Sequence, residues 1–452
     1  MALPEAGPVE ESRPGLVRGL GTWDGALLTI GSIVGTGIFL TTSDMARVLP
    51  HAGLILGVWL AGGLLTLAGA LTYGELGAMF PRAGGMYHYL REAYGPLWGF
   101  LFGWAAFVVI MSGGIAALGV AFGTYFVSFF PFVSVKVAAC LAILVLTGIN
   151  HLGLKEGAGV QNTLTVLKIG SIVAFVALGL FAAAPSRPEM ATPAGIAGGA
   201  LGPLLTAFGI AMIAALWTYD GWYGLTCSAG ELRDPGRSLP RGLILGTAIV
   251  IVLYMLLNLV YIRALSVPEM AGASRIGEAA AGVLFGPTGA RLVSLAILVS
   301  TFGCLSATIL YSSRIYQPMA EDGVFFRSLA EVHPRFRTPV RSLWAQTAWA
   351  LLLTLSGTYE QLYTYVIFVS VMFHAATAAA VFVLRRTHPD HPRPYRTWGY
   401  PAVPALFILA CLLLVGNTLA EKPVESLLGL GLLALGLPAY LWFRKRTATF
   451  SS

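Results

Sequence analysis

Two short stretches decide the reading of this chain: Gly31-Ser32-Ile33-Val34-Gly35-Thr36-Gly37-Ile38-Phe39 and Trp217-Thr218-Tyr219-Asp220-Gly221-Trp222. Each interrupts an apolar run long enough to cross a bilayer. The first places three glycines within seven residues, and the second sets an ionisable residue beside a glycine in mid-run. A glycine costs a helix roughly 1 kcal/mol relative to alanine. Unwound backbone at membrane depth is tolerated only where protein buries it or where it lines a watery cavity. Small residues also let helices pack closely, so either stretch alone has that plainer explanation. Their placement in the chain is what argues for a site.

Around these stretches the composition is that of a membrane protein. Of 452 residues, 56% are hydrophobic and 11% charged, against about 25% charged in an average soluble domain. A span needs about 20 apolar residues, and twelve candidates are found. In the first half they are Trp23–Arg47, Leu54–Phe80, Leu97–Val127, Val137–Ile149, Gly159–Phe181 and Leu204–Gly230. The second half gives Gly242–Ala264, Gly289–Met319, Leu343–Leu355, Leu362–Leu384, Pro401–Leu419 and Leu427–Phe443. The segment Pro81–Gly95 reads as amphipathic, lying on the cytoplasmic face, and Met270–Gly286 as a short helical cap outside. Residues Met1–Gly19 are polar and lack the apolar core of a cleavable signal.

Basic residues fix the expected orientation. With a cytoplasmic N-terminus, twenty Lys and Arg fall in inside segments, including Arg13, Arg18, Arg335 and Arg337. Seven fall outside, Arg187 among them, and Lys168 is left within a span. Both termini are then cytoplasmic, in a multi-pass protein of the cell membrane. The formal net charge of +7 follows from this loop bias and does not indicate nucleic-acid binding. Cys140, Cys227, Cys304 and Cys411 show no metal spacing or paired framework; no metal and no cofactor is expected.

In a twelve-span chain, spans one and six are equivalent members of two five-span units that cross the membrane in opposite senses. Interrupted helices at matching positions of inverted halves point to a transporter site near the midplane. After each break, near Ile38 and Trp222, a new half-helix presents free N–H groups to an anion. Before each break, near Ile33 and Trp217, carbonyls are left for a cation. Donors on one side and acceptors on the other complement a zwitterionic α-amino acid.

These residues also resemble a known group. GSIVGTGIF, WTYDGW and the following ELRDPGRSLPRG are similar to the amino acid–polyamine–organocation superfamily, most of all to the L-type amino acid transporters and their bacterial relatives. Tyr73–Gly95, Gly159–Lys168 and Ser300–Gly323 carry the same likeness, from about residue 20 to 340. It implies an all-α integral membrane fold of 12 transmembrane helices. An inverted 5+5 repeat has discontinuous helices 1 and 6, and two extra C-terminal helices follow. The corresponding division is a tail over 1–20, repeats over 21–185 and 200–385, two helices over 398–446 and a tail over 447–452. By position, Ile33, Gly35, Thr36 and Gly37 form one side of the substrate site; Trp217, Thr218, Tyr219 and Asp220 form the other. Trp217 stands where relatives carry an aromatic outer gate, and packing between helices is its plainer role.

Lys168 lies about ten residues into span five, near mid-membrane at about 1.5 Å per residue. A cation at that depth costs at least ~2.5–3.5 kcal/mol unless partnered. In sodium-independent relatives a lysine here replaces the sodium ion and bridges spans one and eight. The carbonyls near Gly31 and the hydroxyls of Ser300 and Thr301 are its expected partners. Burial works against the charged form of an ammonium, which keeps proton coupling open. Asp220 departs from the glycine of some relatives; it can attract a cationic side chain, accept a proton, or hold the backbone of the break. Glu75 and Glu231 join an inner gate with arginines such as Arg82 or Arg233, or else anchor their spans at the interface.

The function these features support is amino acid transport by alternating access, as sodium-independent exchange. A proton-coupled amino acid or polyamine symporter is the alternative, and a membrane amino-acid sensor the alternative of another class. A membrane-embedded enzyme is disfavoured because the seven histidines show no metalloprotease spacing. His374 alone lies clearly within a span, where a lone histidine is more often structural. A channel is disfavoured because broken, non-repeating helices suit an occluding site better than a filter. Eukaryotic members of the group bind a heavy chain through a cysteine between spans three and four. Ser128–Lys136 has none, so no heavy-chain subunit is expected; oligomeric state is not legible. Ser112, Tyr363 and Phe368 are candidates for the side-chain pocket.

Overall fold

The computed structural model describes residues 19–182 and 201–450, with residues 83, 153, 335 and 337 excepted; the side chains of 154–162, 164, 201, 231 and 446–450 are likewise outside the description. Arg13, Arg18, Arg187, Arg335 and Arg337, used above for orientation, lie outside the described residues. Among those described, the chain is helical and contains no strand, apart from one isolated bridge between Leu20 and Leu232.

The first span is two helices, α1 (Thr22–Ile33) and α2 (Thr41–Val48), joined through a 3-10 turn at Gly37–Phe39. Then come α3 (Ala52–Met79), the short α4 (Met86–Tyr94), α5 (Pro96–Ala105) and α6 (Met111–Phe126). A π-helical turn, Ala106–Ile110, joins α5 to α6. Next are α7 (Val135–His151), α8 (Leu154–Phe181) and α9 (Leu201–Tyr219), the last followed by the single turn α10 (Gly224–Cys227). The chain continues through α11 (Pro235–Ala264), α12 (Val267–Gly272), α13 (Ile276–Glu321), α14 (Val340–Ser356) and α15 (Tyr359–Thr387). It ends with α16 (Ala402–Glu421), α17 (Pro423–Ala434) and α18 (Gly436–Phe450).

By length and composition, eight of these stretches can cross a membrane, and Val135–His151 and Thr165–Phe181 are shorter apolar helices. The apolar core of Pro96–Phe126 is 94% buried, whereas the corresponding windows of α16 and of Pro423–Lys445 are 22% buried. The third span is therefore the central post, and the last two helices lie at the periphery with leucines such as Leu406, Leu412 and Leu413 facing outward. A helix that is apolar all round belongs in a bilayer or a large core.

Two connections repeat one device. Helix α4 ends at Tyr94-Gly95-Pro96, and the first part of α13 ends at Phe285-Gly286-Pro287. Gly95 has φ +94° and Gly286 has φ +71°, a region that glycine enters without the Cβ penalty. The following proline is suited to the first turn of the next helix. As read from sequence, α4 is amphipathic: Met86, Tyr87, Tyr89 and Leu90 are buried, and Glu92 is exposed. The cap expected over Met270–Gly286 is helical, built by α12 and the start of α13. Helix α11 begins at Pro235, earlier than the expected Gly242, because proline suits a first turn.

Several helices pack on one another across long sequence distances. Helix α11 packs on α1 and on α3, and α3 in turn packs on α9; α6 packs on α7 and α14, as α13 packs on α14 and α7.

Candidate functional site: a cavity between two broken helices

Both glycine-rich stretches are breaks. Helix α1 stops at Ile33, Val34 is extended (φ −73°, ψ 97°), and the chain re-enters helical geometry at Gly37. Helix α9 stops at Tyr219, and Gly221 takes φ +92° against the carbonyl of Ser32. A Cβ on Gly221 would stand 2.6 Å from Ser32 O; one on Gly37 would stand 2.7 Å from Thr218 Oγ1 and 3.0 Å from Thr218 Cα. These glycines let the two breaks touch.

The loose backbone is largely satisfied by side chains. Lys168 on α8 donates through Nζ to Gly31 O at 3.0 Å and to Val34 O at 2.8 Å. Tyr254 on α11 reaches both breaks, its hydroxyl 3.1 Å from Ile33 O and 3.2 Å from Thr218 O. Its single proton serves one at a time. Thr41 Oγ1 donates to Gly37 O at 2.9 Å and lies 2.8 Å from Thr218 Oγ1. On the donor side, the Gly35 amide donates to the Tyr254 hydroxyl and the Gly221 amide to the Asp220 carboxyl, whereas the amides of Thr36, Trp222 and Tyr223 make no hydrogen bond to another backbone group among the described residues. Unpaired N–H groups at helix starts are ready anion ligands.

Between the breaks lies a cavity of about 460 Å³ when the open space at its mouth is included. Of the residues expected there, Ile33, Gly35, Gly37, Trp217, Thr218 and Asp220 line it. Thr36 and Tyr219 are buried but absent from its wall, and the Tyr219 hydroxyl donates to Trp59 O at 3.1 Å. The wall is completed by Ser32 and Gly221 and by Ile110, Met111, Gly114, Leu118, Cys304, Thr308 and Tyr311. Nothing local in the sequence marks these residues of spans three and eight. The π-helical turn before Met111 is the structural sign, since such turns recur at functional sites.

The carbonyls expected to meet an ammonium are partly occupied. Ile33 O faces Tyr254, and Trp217 O accepts from Asp220 N at 3.1 Å. Ser32 O receives only the weak thiol donor of Cys304, at 3.7 Å. Asp220 lies in the same wall, its carboxyl accepting from the Gly221 amide.

Trp217 forms one wall. Its Nε1 donates to the Tyr359 hydroxyl at 2.7 Å, and its ring stacks on Tyr363 at 5.9 Å and 20°. Tyr363 donates to Asp44 Oδ2 at 3.0 Å, and Asp44 pairs with Arg47 at 2.7 Å. Tyr363 does not itself line the cavity. Ser112 is buried with no hydrogen-bond partner, and Phe368 packs on Gly429; neither lines the cavity.

Two further expectations need adjustment, and a third, on Glu231, falls on a side chain outside the described residues. Thr301 Oγ1 donates to Ile297 O at 2.7 Å and Ser300 Oγ has no partner, so the hydrogen bonds of Lys168 run to span one. Glu75 is paired not with Arg82 or Arg233 but with Arg385, at 2.7 and 2.9 Å, and it accepts from Thr397 N at 2.7 Å. Arg393 stands 3.6 Å away. Span ten and the loop after it are brought there by folding, at a sequence distance no spacing rule covers. Glu231 lies in a 3-10 turn over Ala229–Glu231, and its side chain is outside the described residues.

A bundle of apolar helices, two of them broken around an enclosed cavity with polar backbone in its wall, defines a multi-pass membrane transporter. The amino acid permease family model matches residues 20–427. The chain belongs to that family. It is 34% identical to the serine/threonine exchanger SteT of Bacillus subtilis, over 96% of this chain and 99% of that one. It is 30% identical to the human b(0,+)-type amino acid transporter 1, over 96% and 89% of the two chains. It is 28% identical to the human large neutral amino acids transporter small subunit 2, over 97% and 82%. The family is one of transporters and not of enzymes.

Proposed function

We propose that the protein exchanges amino acids across the cell membrane by alternating access, independently of sodium, with both termini cytoplasmic. The observation that carries this is Lys168 Nζ held by Gly31 O and Val34 O at the break of the first span. A fixed ammonium there supplies the positive charge that a bound cation would otherwise bring. The substrate is a zwitterionic α-amino acid, its carboxylate on the amides of Thr36 and Trp222 and its ammonium toward Ser32 O and Asp220. The relatives named above are an exchanger and amino acid transporters by description, which supports the reading.

The proposed architecture is twelve spans in an inverted repeat, with units over 21–185 and 200–385 and two further helices over 398–446. The matched Gly95-Pro96 and Gly286-Pro287 corners support that symmetry. The protein works without a heavy chain, in keeping with the cysteine-free segment Ser128–Lys136.

The site is tested by ligand protection. Purified protein gains thermal stability with a free α-amino acid that it binds. The methyl ester and the N-acetyl derivative of the same amino acid, each lacking one charge, give none. Equal protection by all three would refute a zwitterion site.

A further inference from the structure

Behind the break of the sixth span lies a second cavity, of about 340 Å³, that the substrate site does not use. Thr66 of α3, His374 of α15 and Cys411 of α16 line it together with Trp222. Asp220 lines both this rear chamber and the front cavity, and its carboxyl accepts from the Gly221 amide. His374 is 6% exposed, and its Nε2 has no hydrogen-bond partner. Its ring is enclosed by Tyr73 at 6.1 Å, Trp222 at 5.4 Å and Tyr223 at 5.2 Å. Thr66 Oγ1 is spent on Gly62 O at 2.8 Å. A buried imidazole nitrogen left without a partner costs stability, and the chamber, whose largely apolar wall carries Asp220, His374 and Thr66, has room for about one water.

The titratable groups facing the pair are few. Around His374 they are Tyr73, Tyr223 and Cys411. Around Asp220 they are Tyr73, Tyr223, Tyr311 and Cys304. Among the described residues, no lysine or arginine lines the rear chamber. Asp220 and His374 both line the chamber.

We propose that the rear chamber is a proton-binding site, in which Asp220 and His374 share one exchangeable proton through enclosed water according to whether the front cavity holds substrate. With the front cavity empty, the proton sits on the Asp220 carboxyl and His374 is neutral. When a substrate ammonium approaches, an opposite charge favours the carboxylate. The carboxyl O–H bond breaks, the proton passes through water, and an N–H bond forms at His374 Nε2. The charge of the pair is unchanged, and release of substrate reverses the step. The proposal rests on the front cavity being the substrate site.

The test uses full-length protein in lipid nanodiscs, labelled with ¹⁵N-histidine, with the His374 resonance assigned by H374Q. In substrate-free wild type, the ring-nitrogen shifts of neutral His374 should report a titration step as Asp220 loses its proton, and D220N should lack that step. This arm does not depend on any substrate. In wild type, a saturating amino acid at fixed pH should raise the protonated fraction of His374, and in D220N it should not. A His374 titration curve that D220N leaves unchanged, or an amino acid response that survives D220N, overturns the proposal. Failure of every amino acid to bind would instead count against the substrate site, with the substrate-free arm still deciding on the chamber. In liposomes, H374Q should keep exchange but lose its pH dependence between about pH 5 and 8. H374N serves the same purpose if H374Q does not fold.

Discussion

The ammonium nitrogen of Lys168 lies 2.8 Å from the carbonyl oxygen of Val34, the residue at which the first span leaves helical geometry. Lys168 is 1% exposed, and its second acceptor, Gly31 O, is three residues back. The lysine therefore ties span five to the break itself.

Replacing Lys168 with alanine leaves two buried acceptors short of a donor. A lost partner of this kind costs about 1–3 kcal/mol. K168A should insert in the membrane, melt at lower temperature and exchange at less than about a tenth of the wild-type rate, a factor worth ~1.4 kcal/mol. K168R should not restore exchange, because a planar fork does not replace a compact ammonium. Uptake normalised to protein in the membrane is the measurement.

Glycines around the cavity separate structural from substrate effects. Gly221 has a positive φ, and a Cβ added to it would meet the backbone of Ser32, with the carbonyl oxygen only 2.6 Å away. G221A should lower yield and thermal stability. Gly114 also borders the cavity, but a Cβ there meets nothing within 4 Å. G114A should fold with wild-type stability and shift preference toward smaller side chains, read from competition by a graded series of amino acids.

The Trp217–Tyr363–Asp44 contacts make an independent prediction. Tyr363 holds Asp44 at 3.0 Å while its ring stacks on Trp217. Y363F removes the hydrogen bond and keeps the ring. Cys304 borders the cavity and serves as reporter when Cys140, Cys227 and Cys411 are replaced. An impermeant thiol reagent added from the Asp44 side should modify Cys304 several-fold faster in Y363F, in line with the loss of a bond worth about 1–2 kcal/mol.

Glu75 is fully buried under Arg385 and the Thr397 amide. Removing one partner of a buried pair costs about 3–5 kcal/mol. E75A should unfold well below wild type in a thermal scan and release the segment after α15 to proteolysis.

The breaks were legible because glycine and a mid-span Asp220 are local signals, and Lys168 because a lone cation in an apolar run demands partners. The other half of the cavity was not. Met111, Gly114 and Cys304 are ordinary span residues in sequence, and only the packing of α6 and α13 beside the breaks gives them a role. The partner of Glu75 was missed for the same reason: Arg385 is 310 residues away. Tyr254 carries no local mark either, although its hydroxyl reaches both breaks.

The most direct measurement is amino acid uptake into liposomes holding the purified protein, with and without unlabelled amino acid inside, in sodium-containing and sodium-free buffer. The account predicts uptake that requires internal amino acid and is the same in both buffers. Uptake that requires sodium would contradict the assignment of Lys168 as the built-in cation, and uptake into empty liposomes driven by an imposed pH gradient would contradict exchange.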